Sequence, residues 1–137
     1  MLIPPIPPYA VVASAERFPA VSVQVVAERP EITREVRAEF LAWQRGSIDR
    51  SRYSTYAAAQ FTDPYVQRYA AQLREWGDLG TVEYVGKNSS GGTTMYDYRL
   101  VCANAVVMMQ MGIDQTGKID AIAFRGMKRR AAERTSA

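Results

Sequence analysis

An acidic residue between two tyrosines is the arrangement in this sequence that could perform acid–base chemistry. Asp97 stands between Tyr96 and Tyr98 in the stretch TTMYDYRLVC. A carboxyl group in an apolar pocket has a raised pKa and can act as a general acid or base, while a phenol can stabilise an enolate. Neighbouring residues of a strand point to opposite faces, so Asp97 cannot share a face with Tyr96 or Tyr98. It could meet a tyrosine from elsewhere, and the alternative is an ion pair with Arg99 or another base across the sheet surface. The tyrosines that could meet it are Tyr53, Tyr56 and Tyr69.

Residue counts exclude several other chemistries. The chain of 137 residues has no histidine and one cysteine, Cys102. Without histidine there is no Ser-His-Asp or Cys-His nucleophile and no histidine-ligated zinc or iron. A single cysteine forbids an internal disulfide and a cysteine-rich metal site. We therefore expect neither a metal nor a cofactor.

Two segments have the composition of a ligand loop, and we interpret both as hairpin connections. The segment DQTGKI offers Asp114 and, beyond the turn, Asp120, which are fewer carboxylates than a calcium loop needs. Gly117 suits the positive φ of a bulged turn. The segment KNSSGGT, residues 87–93, lacks the P-loop spacing and precedes a strand rather than a helix.

The two ends of the chain differ in character from its middle. The net charge is +3, and the C-terminal tail, residues 126–137, holds four basic residues and one acidic residue, so the rest is neutral. A neutral body argues against a nucleic-acid partner. Residues 1–29 form a proline-rich arm, in which AVSVQVVAE (20–28) could be a short strand. We expect this arm to belong to a cytoplasmic protein. Because Ala13-Ser14-Ala15 resembles a signal-peptidase site, the alternative is that the arm is the remnant of a signal segment and the protein is exported. No apolar stretch is long enough to span a membrane.

Helical periodicity dominates the first half of the chain. One apolar stripe predicts a helix over residues 30–45 that ends at Gly46, and a second predicts a helix after Thr62 that ends at Gly77. A connector with one short helical turn near residues 49–58 joins them. The stripes are Ile32, Val36, Phe40 and Trp43, then Val66, Tyr69, Leu73 and Trp76; the charges placed elsewhere on the first helix are Arg34, Glu35, Arg37, Glu39 and Arg45.

After Gly80 the period becomes that of strands. Four strands are predicted, joined by short connections, and their bounds are 81–86, 93–102, 105–113 and 118–124. Helices followed by a meander predict an α+β fold with helices packed on one face of a curved antiparallel sheet.

This element order, with the motifs FLAWQRGSID, AAQLREWGDLG and GIDQTGKIDAIAF, resembles the nuclear transport factor 2-like superfamily, whose cone-shaped domains are also called cystatin-like. The resemblance covers residues 30–125 and is nearest to small bacterial domains found alone or beside serine hydrolases of the beta-lactamase type. It implies a concavity between helices and sheet. Members include ketosteroid isomerases, polyketide cyclases, epoxide hydrolases and dehydratases, but no residue pattern of a catalytic subfamily maps onto this chain.

Aromatic residues are the candidate walls of that concavity, with simple filling of the core as the alternative. They are Phe40, Trp43, Tyr53, Tyr56, Tyr69 and Trp76. A small apolar ligand is the expected occupant.

Both faces of the predicted sheet carry apolar residues. Met109 and Met111 share one face of the third strand, and Val106 and Met108 share the other. In the last strand we place Ile119, Ala121 and Ala123 opposite Ile122 and Phe124. One helix layer covers one face only, so we expect a homodimer through the outer face, with the N-terminal arm as the alternative cover.

The function expected from these features is non-catalytic binding of a small ligand or a partner protein. The alternative is a small isomerase, cyclase or dehydratase that uses Asp97 and a tyrosine in the cone pocket. An accessory domain to a neighbouring hydrolase is a third reading.

Overall fold

The structure of the chain is a computed structural model that describes residues 29–129. The strand expected at residues 20–28 and the tail beyond residue 129 lie outside the described residues. Within residues 29–129, three helices and a short 3-10 turn come first and four strands follow, so the α+β prediction is confirmed. The helices are α1 (Pro30–Arg45), α2 (Thr55–Gln60) and α3 (Asp63–Trp76), and the 3-10 turn is Arg50–Arg52.

The ends of the two long helices follow from single residues. A proline stands in the first turn of both α1 and α3, where its missing N–H breaks no helical hydrogen bond. Gly46 ends α1 in the left-handed region, with φ of 81°, and its N–H bonds back into the last turn. The connector contains two short helical turns rather than the single one predicted.

The strands pair in sequence order as one antiparallel sheet, β1-β2-β3-β4. They are β1 (Leu79–Ser90), β2 (Thr93–Cys102), β3 (Ala105–Ile113) and β4 (Ile119–Lys128). The bounds of β2 and β3 are those predicted from the sequence. The last strand is longer than predicted, because Lys128 still pairs with Ala105.

The prediction of a loop at residues 87–90 was wrong. These residues continue β1, and Ser90 pairs with Thr93 across a two-residue turn. Gly91 and Gly92 form that turn with φ of 58° and 87°. Two successive positive φ angles match the twist of the flanking strands, so the backbone ladder extends here without apolar side chains.

The segment from Asp114 to Lys118 is the β3–β4 turn, as predicted. Gly117 has φ of 90°. The Asp114 carboxylate accepts hydrogen bonds from the backbone N–H groups of Thr116 (2.9 Å) and Lys118 (3.0 Å), so the turn itself satisfies it.

Ile119 was predicted to share a face with Ala121 and Ala123, and a bulge after this turn makes that prediction wrong. Ile119 pairs with Ile113 and Ala121 with Gly112, which leaves Asp120 as the extra residue of β4. Ile119 is therefore buried, whereas Ala123 is exposed on the other face.

The core lies between the helices and one face of the sheet. Phe40 and Trp43 of α1 are buried against this inner face, and the rings of Trp43 and Phe124 meet edge to face at 5.7 Å. The hydroxyl oxygens of Thr33 and Tyr98 lie 2.7 Å apart although 65 residues separate them in sequence. Contacts of this kind join α1 to the centre of the sheet.

The opposite surface of the sheet, here called the outer face, mixes apolar and charged residues. Cross-strand pairing aligns Thr81, Val101, Val106 and Met127 in one row and Glu83, Arg99, Met108 and Arg125 in the next. The third row contains Asp97, Gln110 and Ala123, with Val85 beside it. Val106 and Met108 thus share the outer face, as predicted.

Candidate functional site

A cleft of about 650 Å³ opens between the start of α1, the 3-10 turn and the β3–β4 turn. Its volume falls in the range of about 300–1,000 Å³ that is usual for small-molecule sites. Three basic and three acidic residues line it, namely Arg29, Arg52, Lys118, Glu31, Glu35 and Asp114. Their charges cancel, so the wall of the cleft favours no sign of ligand charge.

Hydrogen bonds hold these cleft charges in place. Arg29 forms an ion pair with Glu31 at 2.7 Å, and Arg52 forms one with Glu35. The Lys118 ammonium donates to the backbone carbonyl of Ser51 at 2.6 Å. Lys118 thereby ties the β3–β4 turn to the 3-10 turn on the other side of the cleft.

A buried polar chain lies behind this wall. Glu39 is only 3% exposed, and the Tyr53 hydroxyl donates to its carboxylate. The same hydroxyl accepts a 2.8 Å hydrogen bond from the indole N–H of Trp43. The Nε of Arg52 lies 3.4 Å from the second Glu39 oxygen, so Arg52 links Glu39 to Glu35 at the cleft.

Local sequence explains how these groups meet. Glu39 follows Val36 by three residues and precedes Trp43 by four, which places it on the buried side of α1. Tyr53 ends the 3-10 turn and forms a bridge with Ile119 of β4, which aims its ring inward. Helix α1 and the connector thus place Glu39 and Tyr53 within hydrogen-bonding distance of each other.

Burial is the main cause of the pKa shifts of Glu39 and Tyr53. Desolvation raises the pKa of Glu39 above its ordinary value, against the opposing effects of the Tyr53 hydrogen bond and the Arg52 charge. Desolvation also raises the pKa of Tyr53, and the adjacent Glu39 carboxylate raises it further. Tyr53 is therefore a neutral donor, and Glu39 is an acid that holds its proton to a higher pH than an exposed glutamate.

The six aromatic residues predicted as pocket walls have different positions. Phe40, Trp43 and Trp76 are buried in the core, and Tyr53 belongs to the polar chain. Tyr69 is half-buried on α3. Tyr56 is 67% exposed on α2, so the structure does not bring it together with the other five.

Asp97 lies on the outer face, away from the helices. Tyr96 and Tyr98 occupy the inner face, and strand alternation turns Asp97 the other way. Its carboxylate accepts a 2.9 Å hydrogen bond from the Gln110 side chain. Arg99 pairs with Glu83 at 2.8 Å, so the predicted Asp97–Arg99 ion pair was wrong. The acid that does meet a tyrosine is Glu39, which the sequence interpretation had placed among the surface charges of α1.

A second depression, here called the aromatic groove, lies between α3 and β4. Its volume is about 230 Å³, and six of its residues are Trp43, Phe61, Tyr65, Tyr69, Ile122 and Phe124. Three of the rings follow one another in a row. Phe61 and Tyr65 are 5.4 Å apart with planes tilted by 39°, and Tyr65 and Tyr69 are 5.0 Å apart with planes tilted by 32°.

Two kinds of site are absent from the described region. Among residues 29–129 no three acidic or cysteine side chains gather closely enough to hold a metal ion. Nor does any helix in this part of the chain combine the length and apolar character of a membrane span.

The part of the chain that the structure describes has an α+β fold, in which three helices cover one face of a four-stranded antiparallel sheet. Comparisons of the chain with protein-family models, curated proteins and solved structures find no match. Membership of the nuclear transport factor 2-like superfamily therefore stays a prediction.

Proposed function

We propose that the chain is a non-catalytic interaction domain that forms a homodimer through its outer face. The observation that carries this proposal is the distribution of exposed apolar side chains. Within residues 29–129, four large hydrophobic residues are exposed, and three of them lie on the outer face: Val85 (52%), Met108 (37%) and Met127 (75%). An exposed apolar surface rimmed by polar residues is typical of an interaction site.

Charge supports a second copy as the partner. The outer face carries two acidic residues, Glu83 and Asp97, and two basic residues, Arg99 and Arg125. A neutral face with both signs present can complement itself across a two-fold axis, whereas a face of one sign would repel itself. Met108 and Met127 supply flexible side chains that adapt to an identical surface.

The size of the sheet sets the expected affinity. Four strands about 4.8 Å apart and ten residues long present a face of about 600 Å², or about 1,200 Å² over two copies. This is the lower end of the range for specific complexes. We therefore expect a reversible dimer whose population depends on protein concentration.

Sedimentation velocity from about 1 to about 100 µM brackets micromolar dissociation constants and tests the proposal. The wild-type mass should rise from 15.3 kDa toward twice that value. Met108→Glu puts a charge at the centre of the outer face and should keep the chain monomeric. Tyr56→Glu makes the same change on exposed α2 and should not affect dimerisation. A wild type that stays monomeric throughout, or a Met108→Glu variant that dimerises like the control, contradicts the proposal.

One observation favours a second candidate, a small isomerase, cyclase or dehydratase. Glu39 and Tyr53 supply a buried acid of raised pKa with a phenol donor, next to a cleft of small-molecule size. A substrate would have to displace the Arg52 guanidinium from Glu39 to reach the acid. Because of this requirement, we rank the enzyme below the interaction domain as a candidate function.

Proton exchange distinguishes the two candidates. If the chain is an enzyme of this kind, small β,γ-unsaturated ketones incubated in D₂O should exchange their α-protons faster with the wild-type protein than with Glu39→Gln; a non-catalytic domain should give equal rates. Glu31→Gln alters an exposed carboxylate at the mouth of the cleft and serves as the control. Equal exchange rates for the wild type and Glu39→Gln would exclude Glu39 as the acid.

A further inference from the structure

The aromatic groove has the form of a surface that binds extended peptide. Its row of rings spans two successive steps of 5.4 and 5.0 Å, so Phe61 and Tyr69 are at most about 10 Å apart. A polyproline II helix advances about 3.1 Å per residue, or about 9.3 Å per three-residue turn. One turn of such a helix is therefore close to the upper limit of the distance between the outer rings. Half-buried tyrosines also present hydroxyl groups that can donate to peptide carbonyls.

The size of the aromatic groove suits the side chains of a bound peptide better than a separate small molecule. Its volume of about 230 Å³ is below the range of about 300–1,000 Å³ that is usual for small-molecule sites. Aromatic-lined grooves of this kind bind proline-rich segments because a polyproline II helix loses little conformational entropy on binding.

The chain itself contains a segment with the matching period. Residues 3–9 read IPPIPPY, in which every residue type recurs at a spacing of three up to the final tyrosine. In a helix of three residues per turn, Pro4 and Pro7 would share one edge, and Pro5 and Pro8 would share the next. We propose that residues 3–9 dock in the aromatic groove of the same chain as a polyproline II helix.

The length of the intervening chain favours this internal segment over a separate partner. Tyr9 precedes Arg29 by twenty residues, and a chain of that length reaches at most about 66–72 Å when fully extended. Along α1, Trp43 of the aromatic groove is fourteen residues from Arg29, which is about 21 Å at 1.5 Å per residue. A linker long enough to cover this span keeps the segment at a raised effective concentration near its site, which a separate partner lacks.

Docking there would also protect an edge. β4 is an outer strand of the sheet, and Ile122 and Phe124 of β4 line the aromatic groove. An edge strand presents unpaired backbone groups that invite pairing with other chains. An arm bound in the groove beside β4 would shield that edge.

Paramagnetic relaxation in the full chain tests the proposal. Ala10→Cys introduces a site for a nitroxide label next to the segment. Cys102 can stay in place, because it is buried and burial raises the pKa of its thiol to about 11. The label should abolish the amide signals of Tyr65, Tyr69 and Ala123, and they should return on reduction of the nitroxide. The effect should persist on dilution, because the contact is within one chain.

Two variants make the result specific. Replacing the four prolines of the segment by alanine should restore the signals without touching the folded domain. Tyr65→Ala should also restore them, whereas Tyr56→Ala, outside the aromatic groove, should leave the effect intact. Intact groove signals in the labelled chain, loss of the effect on dilution, or broadening centred on Met108 and Met127 each overturn the proposal. The last result would place the arm on the outer face.

Discussion

The hydroxyl of Tyr53 offers the sharpest test of the buried polar chain. Tyr53→Phe keeps the ring and its edge-to-face contact with Phe61 at 5.6 Å, and removes one oxygen atom. That oxygen accepts from the Trp43 indole at 2.8 Å and donates to the Glu39 carboxylate. The substitution therefore leaves a buried donor and a buried acceptor without this partner.

The expected loss follows from these two groups. A buried donor left unsatisfied costs about 1–3 kcal/mol, and a hydrogen bond to a charged group contributes about 1.5–3 kcal/mol. With the Glu39 carboxylate ionised, the two effects together should lower the free energy of unfolding of Tyr53→Phe by about 2.5–6 kcal/mol, and the alkaline measurement is made at about pH 8.

The loss should be smaller in acid. Burial raises the folded-state pKa of Glu39, so its contribution to stability is complete below the unfolded pKa and is lost as the pH rises through the folded value. The Tyr53 hydrogen bond opposes that shift, and its removal raises the pKa further. At about pH 3 Glu39 is protonated in both states, and its hydrogen bond to Tyr53 is then one between neutral groups that contributes only about 0.5–1.5 kcal/mol, so the total loss should fall to about 1.5–4.5 kcal/mol.

Urea unfolding followed by tryptophan fluorescence and far-UV circular dichroism measures both values. Tyr56→Phe, on an exposed tyrosine, should change stability by less than about 0.5 kcal/mol. A loss for Tyr53→Phe that is the same at both pH values, or below about 1 kcal/mol at pH 8, would refute the coupling of Tyr53 to Glu39.

Two further predictions concern packing. Gly126→Ala places a Cβ 2.5 Å from the Trp76 ring and should cost about 1–3 kcal/mol, seen as a lower Tm, whereas Gly86→Ala meets nothing within 4 Å and should leave Tm nearly unchanged. Equal Tm values for the two variants would contradict the contact with Trp76. Cys102 should react with a thiol reagent at pH 8 only as fast as the chain opens, because it is 1% exposed and burial raises its pKa to about 11. Rapid reaction of the folded protein would count against its burial.

The predictable part of the fold is the part whose apolar periodicity is complete. The bounds of α1, β2 and β3 follow from their patterns, since each buries one regular face. The extension of β1 through residues 87–90 depends on backbone pairing and polar side chains, which leave no hydrophobic pattern to detect. The β4 bulge at Asp120 is likewise invisible, because it depends on how the turn sets the register.

The candidate site was harder to predict for a related reason. Glutamate on an amphipathic helix is usually exposed, so Glu39 was assigned to the polar side of α1. Its spacing from Val36 and Trp43 nevertheless places it within the apolar stripe. What the sequence could not provide is the partner, because Tyr53 reaches Glu39 only through the path of the connector.

The contact between Thr33 and Tyr98 has a consequence for synthesis. Residue 98 emerges from the ribosome 65 residues after residue 33, a delay of about 3–13 s at about 5–20 residues per second. Until the strands follow, α1 has no sheet to cover Val36, Phe40 and Trp43. The nascent chain therefore presents an uncovered apolar helix for seconds, a target for chaperones that bind hydrophobic segments during translation.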